Sequence, residues 1–157
     1  MCIRDRSALV LTAVLIALAT LFTMYTKIPV PGIRGYFNVG DVVIMTSALL
    51  LGRKYGAYIG AIGPALADLF LGYAVFVPIT FVVKGIEGYL VGTVYNNKTT
   101  TSALVATIVG GIVIVAGYFI AEYFVFDPGV AIASILTNTI QAVMSVIISM
   151  ILYAILR

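Results

Sequence analysis

Residues 102–123 read SALVATIVGGIVIVAGYFIAEY, and the one charged side chain in that run is Glu122, near its end. An α-helix rises about 1.5 Å per residue, so a run of this length reaches across the ~30 Å hydrocarbon core of a bilayer. In water the same run would need a large protein core to cover it. The rest of the chain is of the same kind. Of its 157 residues, 62% are hydrophobic and 10% charged, whereas a soluble domain is about half apolar and about a quarter charged. Lipid is the solvent this composition matches, and in lipid the backbone polar groups must be satisfied inside helices or closed barrels. The expected fold class is an all-α membrane protein, a compact bundle of six transmembrane helices with no soluble catalytic module.

Working outward from that run, Asp127-Pro128-Gly129 opens a sixth segment that continues to Arg157, with proline in the first turn where its missing N–H costs nothing. On the other side, the polar stretch from Asn96 to Thr101 separates it from a fourth segment, about Phe76 to Tyr95. Gly72-Tyr73 divides the fourth from a third, about Tyr55 to Leu71. Arg53-Lys54 reads as the tight turn back to a second, about Val39 to Gly52, which is short for a span and has Asp41 as an N-terminal helix residue. The loop from Lys27 to Asn38 holds Pro29, Pro31, Gly32 and Gly35 and is too rich in them to be helical. The first segment is about Ser7 to Thr26.

Met1-Cys2-Ile3-Arg4-Asp5-Arg6 is abruptly polar and resembles a translated sequencing adaptor. That reading makes residues 7–157 the single domain; a short basic tail is the plainer alternative. Cys2 is the only cysteine and histidine is absent, so disulfides, zinc sites and thiol catalysis are excluded and no metal or cofactor is expected. The net charge of +3 falls to +2 without the first six residues, and no basic run or stripe exists; nucleic acid is not an expected partner.

Basic residues favour the cytoplasmic side of a membrane. Arg53, Lys54, Lys98 and Arg157 fall on the side of the termini, against Lys27 and Arg34 with acidic Glu122 and Asp127 on the other. Both termini are therefore expected in the cytoplasm, with the chain in a cell membrane.

Charge inside a lipid-embedded helix is costly, so each such residue is a functional hypothesis. Asp68, Lys84 and Glu87 are the charged members, joined by Asn138 and Gln141. Lys84 and Glu87 are three apart and share a helix face, as do Asn138 and Gln141. Counted from the segment ends, four of these five residues fall in the outer half or midplane. Tyr118, Glu122 and Tyr123 form a rim there, and Tyr36 and Asn38 lie in the loop above. Apolar walls with a few convergent polar groups make a small-molecule site. The plainer alternatives are an ion pair of Lys84 with Glu87 or Asp68, interhelical hydrogen bonds at Asn138 and Gln141, and interfacial anchoring by the tyrosines.

Ala13/Ala17, Gly56/Gly60 and Gly88/Gly92 recur at four-residue spacing, which lets helices approach closely; packing within the bundle is the first reading of the glycines. No Ser/His pair, metal cluster or Gly-rich phosphate loop exists. Two other functions fit some of the residues: an ion-coupled transporter with Asp68, Lys84 and Glu87 as a relay, and an intramembrane aspartyl enzyme using Asp68 with Asp41 or Glu87.

The runs Gly35-Tyr36-Phe37-Asn38-Val39-Gly40-Asp41, Leu49-Leu50-Leu51-Gly52-Arg53-Lys54-Tyr55-Gly56, Gly60-Ala61-Ile62-Gly63-Pro64-Ala65-Leu66-Ala67-Asp68-Leu69 and Lys84-Gly85-Ile86-Glu87-Gly88 resemble the substrate-binding S components of energy-coupling factor (ECF) vitamin transporters, most closely the riboflavin and hydroxymethylpyrimidine types. The resemblance covers about residues 8–95; beyond that, only hydropathy and length agree. It implies a six-helix membrane subunit, not an enzyme. Such a subunit binds a water-soluble vitamin or precursor in an outer-half pocket capped by the first loop, and delivers it by toppling together with a T component and two ATPases. It also implies that Ala13 and Ala17, in an Ala-x-x-x-Ala patch, dock on the T component. No tryptophan is present, so Tyr36, Phe37, Tyr73, Phe76 or Tyr118 would stack on a planar ligand.

Overall fold

The computed structural model describes residues 3–29, 36–95 and 99–157, and their side chains except at 3–6, 29, 36 and 37. The adaptor-like reading of residues 1–6, the middle of the first loop with Arg34, the Tyr36 and Phe37 side chains, and Lys98 thus fall outside what is described.

Six helices follow one another: α1 (Ile3–Tyr25), α2 (Gly40–Leu51), α3 (Arg53–Phe70), α4 (Phe76–Val94), α5 (Thr100–Val125) and α6 (Pro128–Leu156). Between α1 and α2, two short strands, β1 (Ile28–Pro29) and β2 (Tyr36–Phe37), pair antiparallel with Ile28 opposite Phe37. The α1–α2 hairpin and the α3–α4 and α5–α6 turns share one end of the bundle, called the hairpin end below.

Ser7–Tyr25 of α1, α4, α5 and α6 are long and apolar enough to cross a membrane. The 12-residue α2 is only about 18 Å long and is buried at every position from Gly40 to Leu49. It is a helix inside the bundle rather than a span in contact with lipid. The surface is the inverse of a soluble protein's: Leu9, Val14, Phe124, Ile132, Leu136 and Ile151 are exposed, while Asp41, Lys84, Glu87 and Gln141 are buried. The chain is a multi-pass membrane protein, and a hydrocarbon solvent accounts for both halves of that distribution.

The turn between α2 and α3 differs from the sequence reading. Arg53 and Lys54 are already helical, and the break is Gly52, whose φ of 91° only glycine adopts without strain. The glycine pairs are packing devices. A methyl group at Gly60 would strike the Lys84 carbonyl, and one at Gly88 the Gly56 carbonyl. This backbone-to-backbone approach of α3 and α4 fixes where Lys84 and Glu87 stand. Thr20 Oγ1 ties α1 to α3 by donating to the Gly63 carbonyl at 2.9 Å. Asp127 caps α6, its Oδ1 accepting from Gly129 N at 2.8 Å and Val130 N at 3.1 Å.

Candidate functional site

Polar side chains from five helices converge on one cavity at the hairpin end. Its lining includes Thr23 of α1, Asp68 of α3, Phe76, Thr80 and Lys84 of α4, Tyr118 and Glu122 of α5, and Ser134, Thr137, Asn138 and Gln141 of α6, with Asn38 above α2. The cavity is tight: about 40 Å³ of it is open to the centre of a water molecule. Sites for small organic ligands run to about 300–1,000 Å³, so side chains must move to admit one. A second, apolar groove of about 540 Å³ runs between α5 and α6 past Ile112, Phe119 and Val143. Its one polar side chain, Thr139, donates to the Ile135 carbonyl at 2.7 Å, so nothing there can orient a polar solute.

Asp41 organises the floor of the cavity. It is fully buried and ion-paired to Lys84, and its Oδ2 accepts from Gln141 Nε2 at 2.7 Å. Gln141 Oε1 in turn accepts from the backbone N of Asn38 at 3.1 Å, and Asn38 Oδ1 accepts from Gly40 N at 2.9 Å. One chain of hydrogen bonds therefore joins α4, α2, α6 and the hairpin. Lys84 Nζ lies 3.9 Å from Glu87 and 5.5 Å from the Tyr118 ring centre. Tyr118 OH and Thr80 Oγ1 are hydrogen-bonded at 3.0 Å.

Of the residues singled out from sequence, Asp68, Lys84, Asn138, Gln141, Tyr118 and Asn38 line the cavity. Glu87 does not; it is fully buried beside Lys84 with no hydrogen-bond partner on either oxygen. The Tyr36 side chain lies outside the described residues. Ala13 and Ala17 are elsewhere, exposed on the membrane-facing side of α1. Lys84's near partner is Asp41, neither of the two acids considered for it, because the packed start of α2 brings Asp41 inward. As a site residue, Asp41 figures in the sequence reading only in the aspartyl-enzyme alternative and Ser134 not at all, and Glu122 is put on the rim, whereas it is buried and lines the cavity. The signal for α6 was present: Ser134, Thr137, Asn138 and Gln141 follow helical spacing along one face.

Comparison with known proteins agrees with this architecture. The family model described as ECF-type riboflavin transporter, S component, matches residues 6–157. A thiamine precursor transporter, HmpT, of Lactococcus lactis is 31% identical over 143 residues, 90% of this chain and 80% of that protein. An uncharacterized protein of Pyrococcus woesei is 42% identical over 132 residues, 82% and 87% of the two chains. Among solved structures, the S component of a bacterial ECF transporter superposes with a TM-score of 0.79 at 21% identity, covering 97% of this chain and 96% of that one. The biotin S component of an ECF-type ABC transporter gives 0.68 at 20%, covering 98% and 95%. The matched family and the two solved structures are transporter S components rather than enzymes, which removes the aspartyl-enzyme alternative.

Proposed function

The chain belongs to the ECF-type riboflavin transporter S-component family, and from that membership we propose that its hairpin-end cavity captures a water-soluble vitamin or vitamin precursor. Riboflavin, the thiamine pyrimidine and similar heterocycles are the class. The observation that carries this reading is the convergence of Asn38, Asp68, Lys84, Tyr118, Asn138 and Gln141 on one cavity in a bundle whose outside is apolar. Polar side chains are costly inside a membrane bundle, and several of these, the unpartnered Asn138 Nδ2 among them, keep hydrogen-bonding capacity for a polar solute. Lys84 and Gln141 offer donors, Asp68 an acceptor, and Phe76 and Tyr118 ring faces. Glu87 acts from behind Lys84, and Tyr36 is a further ligand-binding residue of this proposal.

Delivery belongs to an assembly: a T component and two ATPases drive the loaded subunit to topple in the plasma membrane, both of its termini being cytoplasmic. Ala13 and Ala17 form the docking patch. Both are exposed on α1, and small residues there allow a partner helix to approach closely. Ala13→Trp and Ala17→Trp should block co-purification with T component and ATPases while leaving vitamin binding intact. Normal yields of the complex from these variants would refute the docking role. Uptake by the chain alone, collapsed by an uncoupler, would favour the ion-coupled alternative.

A further inference from the structure

Carboxyls outnumber ammonium groups around the cavity. Lys84, 1% exposed, is committed to Asp41 and has Glu87 as its second neighbour at 3.9 Å. Glu122 stands apart from that group on α5. It lines the cavity, is 3% exposed, and accepts a hydrogen bond from Ser134 Oγ; among the described residues it has no ion pair. A buried carboxylate without a cation asks for a donor, best a positively charged one. On the same face of α6, four residues beyond Ser134, Asn138 lines the cavity too, and its Nδ2 is buried without a partner. Four residues of helix place these two positions about 6 Å apart, within the breadth of a small heterocycle. Thr23 Oγ1, also in the lining, is buried and unpartnered.

Resting on the vitamin-binding reading above, we propose that Glu122 is a specificity-determining residue that selects an amine-bearing or cationic nitrogen heterocycle over its phosphorylated form. The ligand's N–H or charged nitrogen faces Glu122, and an acceptor atom faces Asn138. A phosphate ester would bring negative charge into a cavity whose one described ammonium, Lys84, already serves two carboxyls; like charges in a low-dielectric site repel strongly. A flavin ring carries a neutral imide N–H but neither an exocyclic amine nor a cationic nitrogen, so it uses Glu122 less well.

The test is calorimetric titration of the full chain in lipid nanodiscs with five probes: 4-amino-5-hydroxymethyl-2-methylpyrimidine, its 4-hydroxy analogue, its phosphate monoester, thiamine and riboflavin. A charge-assisted hydrogen bond is worth a change of about 10- to 150-fold in affinity. The wild type should prefer the amine to the hydroxy and phosphorylated compounds by at least about tenfold. Glu122→Gln should lower amine affinity by that factor and erase the amine-over-hydroxy preference. Glu122→Asp, which keeps the charge, should retain that preference, and this separates recognition from a folding defect. Tightest binding of riboflavin, with probe ranking unchanged in Glu122→Gln, overturns this inference and leaves the vitamin-binding reading standing. A folded wild type that binds none of the five overturns both.

Discussion

Lys84→Met removes the one ammonium from a site that holds Asp41 and Glu87, both 0% exposed. Methionine is of similar length and apolar, so the change leaves little void and acts through charge. Asp41 would keep its 2.7 Å bond from Gln141 Nε2 and lose its ion pair; Glu87 would lose its nearest cation at 3.9 Å. Removing one partner of a buried pair costs about 3–5 kcal/mol, since the other charge is left without compensation. For a chain of this length that is a fall of about 6–20 °C in apparent Tm. Neutralising both partners removes most of that penalty. Asn at position 41 can still accept from Gln141, so Asp41→Asn combined with Lys84→Met should recover part of the loss, with Glu87 left as the carboxyl that lacks its cation. Thermal melts of the single and double variants in detergent read this directly. A single variant that melts like the wild type, or a double variant no better than the single, would refute the charge argument.

Three further outcomes follow from the same geometry. Gly88→Ala should destabilise the bundle by about 1–3 kcal/mol, because its methyl meets the Gly56 carbonyl, whereas Gly85→Ala, whose nearest neighbour is the Ala61 Cβ at 3.2 Å, should melt close to the wild type; equal melting temperatures for the pair would contradict the α3–α4 seam. Glu87→Gln should keep the melting temperature within a few degrees, since neither Glu87 oxygen receives a hydrogen bond and Lys84, 3.9 Å away, stays paired to Asp41; a loss of more than about 2 kcal/mol would show that Lys84 depends on it. Gln141→Leu cuts the link from Asp41 to the Asn38 backbone, leaving a buried N–H and a carboxylate oxygen short of partners at a cost of about 2–4 kcal/mol, and hydrogen exchange at Asn38 and Val39 should quicken; unchanged exchange would mean that the hairpin is held by other contacts, such as Val39 N to Thr26 Oγ1 at 3.0 Å.

The six-helix plan was legible because hydropathy and breakers report on solvent and backbone, which are local matters. Gly72 and Asp127-Pro128 marked real ends, and the segments at 102–123 and 128–156 needed little revision. The Arg53-Lys54 turn was misplaced because polarity suggested a loop, while the conformational demand fell on Gly52. Asp41 was harder to read. An acid in the first turn of a helix is explained by the helix dipole alone, and nothing local tells that α2 is buried at every position from Gly40 to Leu49. Its pairing with Lys84, 43 positions away, depends on the glycine seam that brings α4 close to α3. Asn138 and Gln141 stood out as amides in an apolar run. Ser134 and Thr137 did not, since hydroxyls in membrane helices commonly bond their own backbone, as Thr137 does to the Ser134 carbonyl at 2.9 Å.

The vitamin or vitamin precursor is proposed to sit among Lys84, Asn138 and Gln141, and native mass spectrometry of the purified full chain, released from detergent in the spectrometer, reads its presence. One vitamin-sized adduct per chain is expected, identifiable after dissociation and absent from Asn138→Leu and Gln141→Leu protein. A wild-type chain that stays free of any such adduct when supplied with riboflavin, thiamine and the thiamine pyrimidine would contradict it.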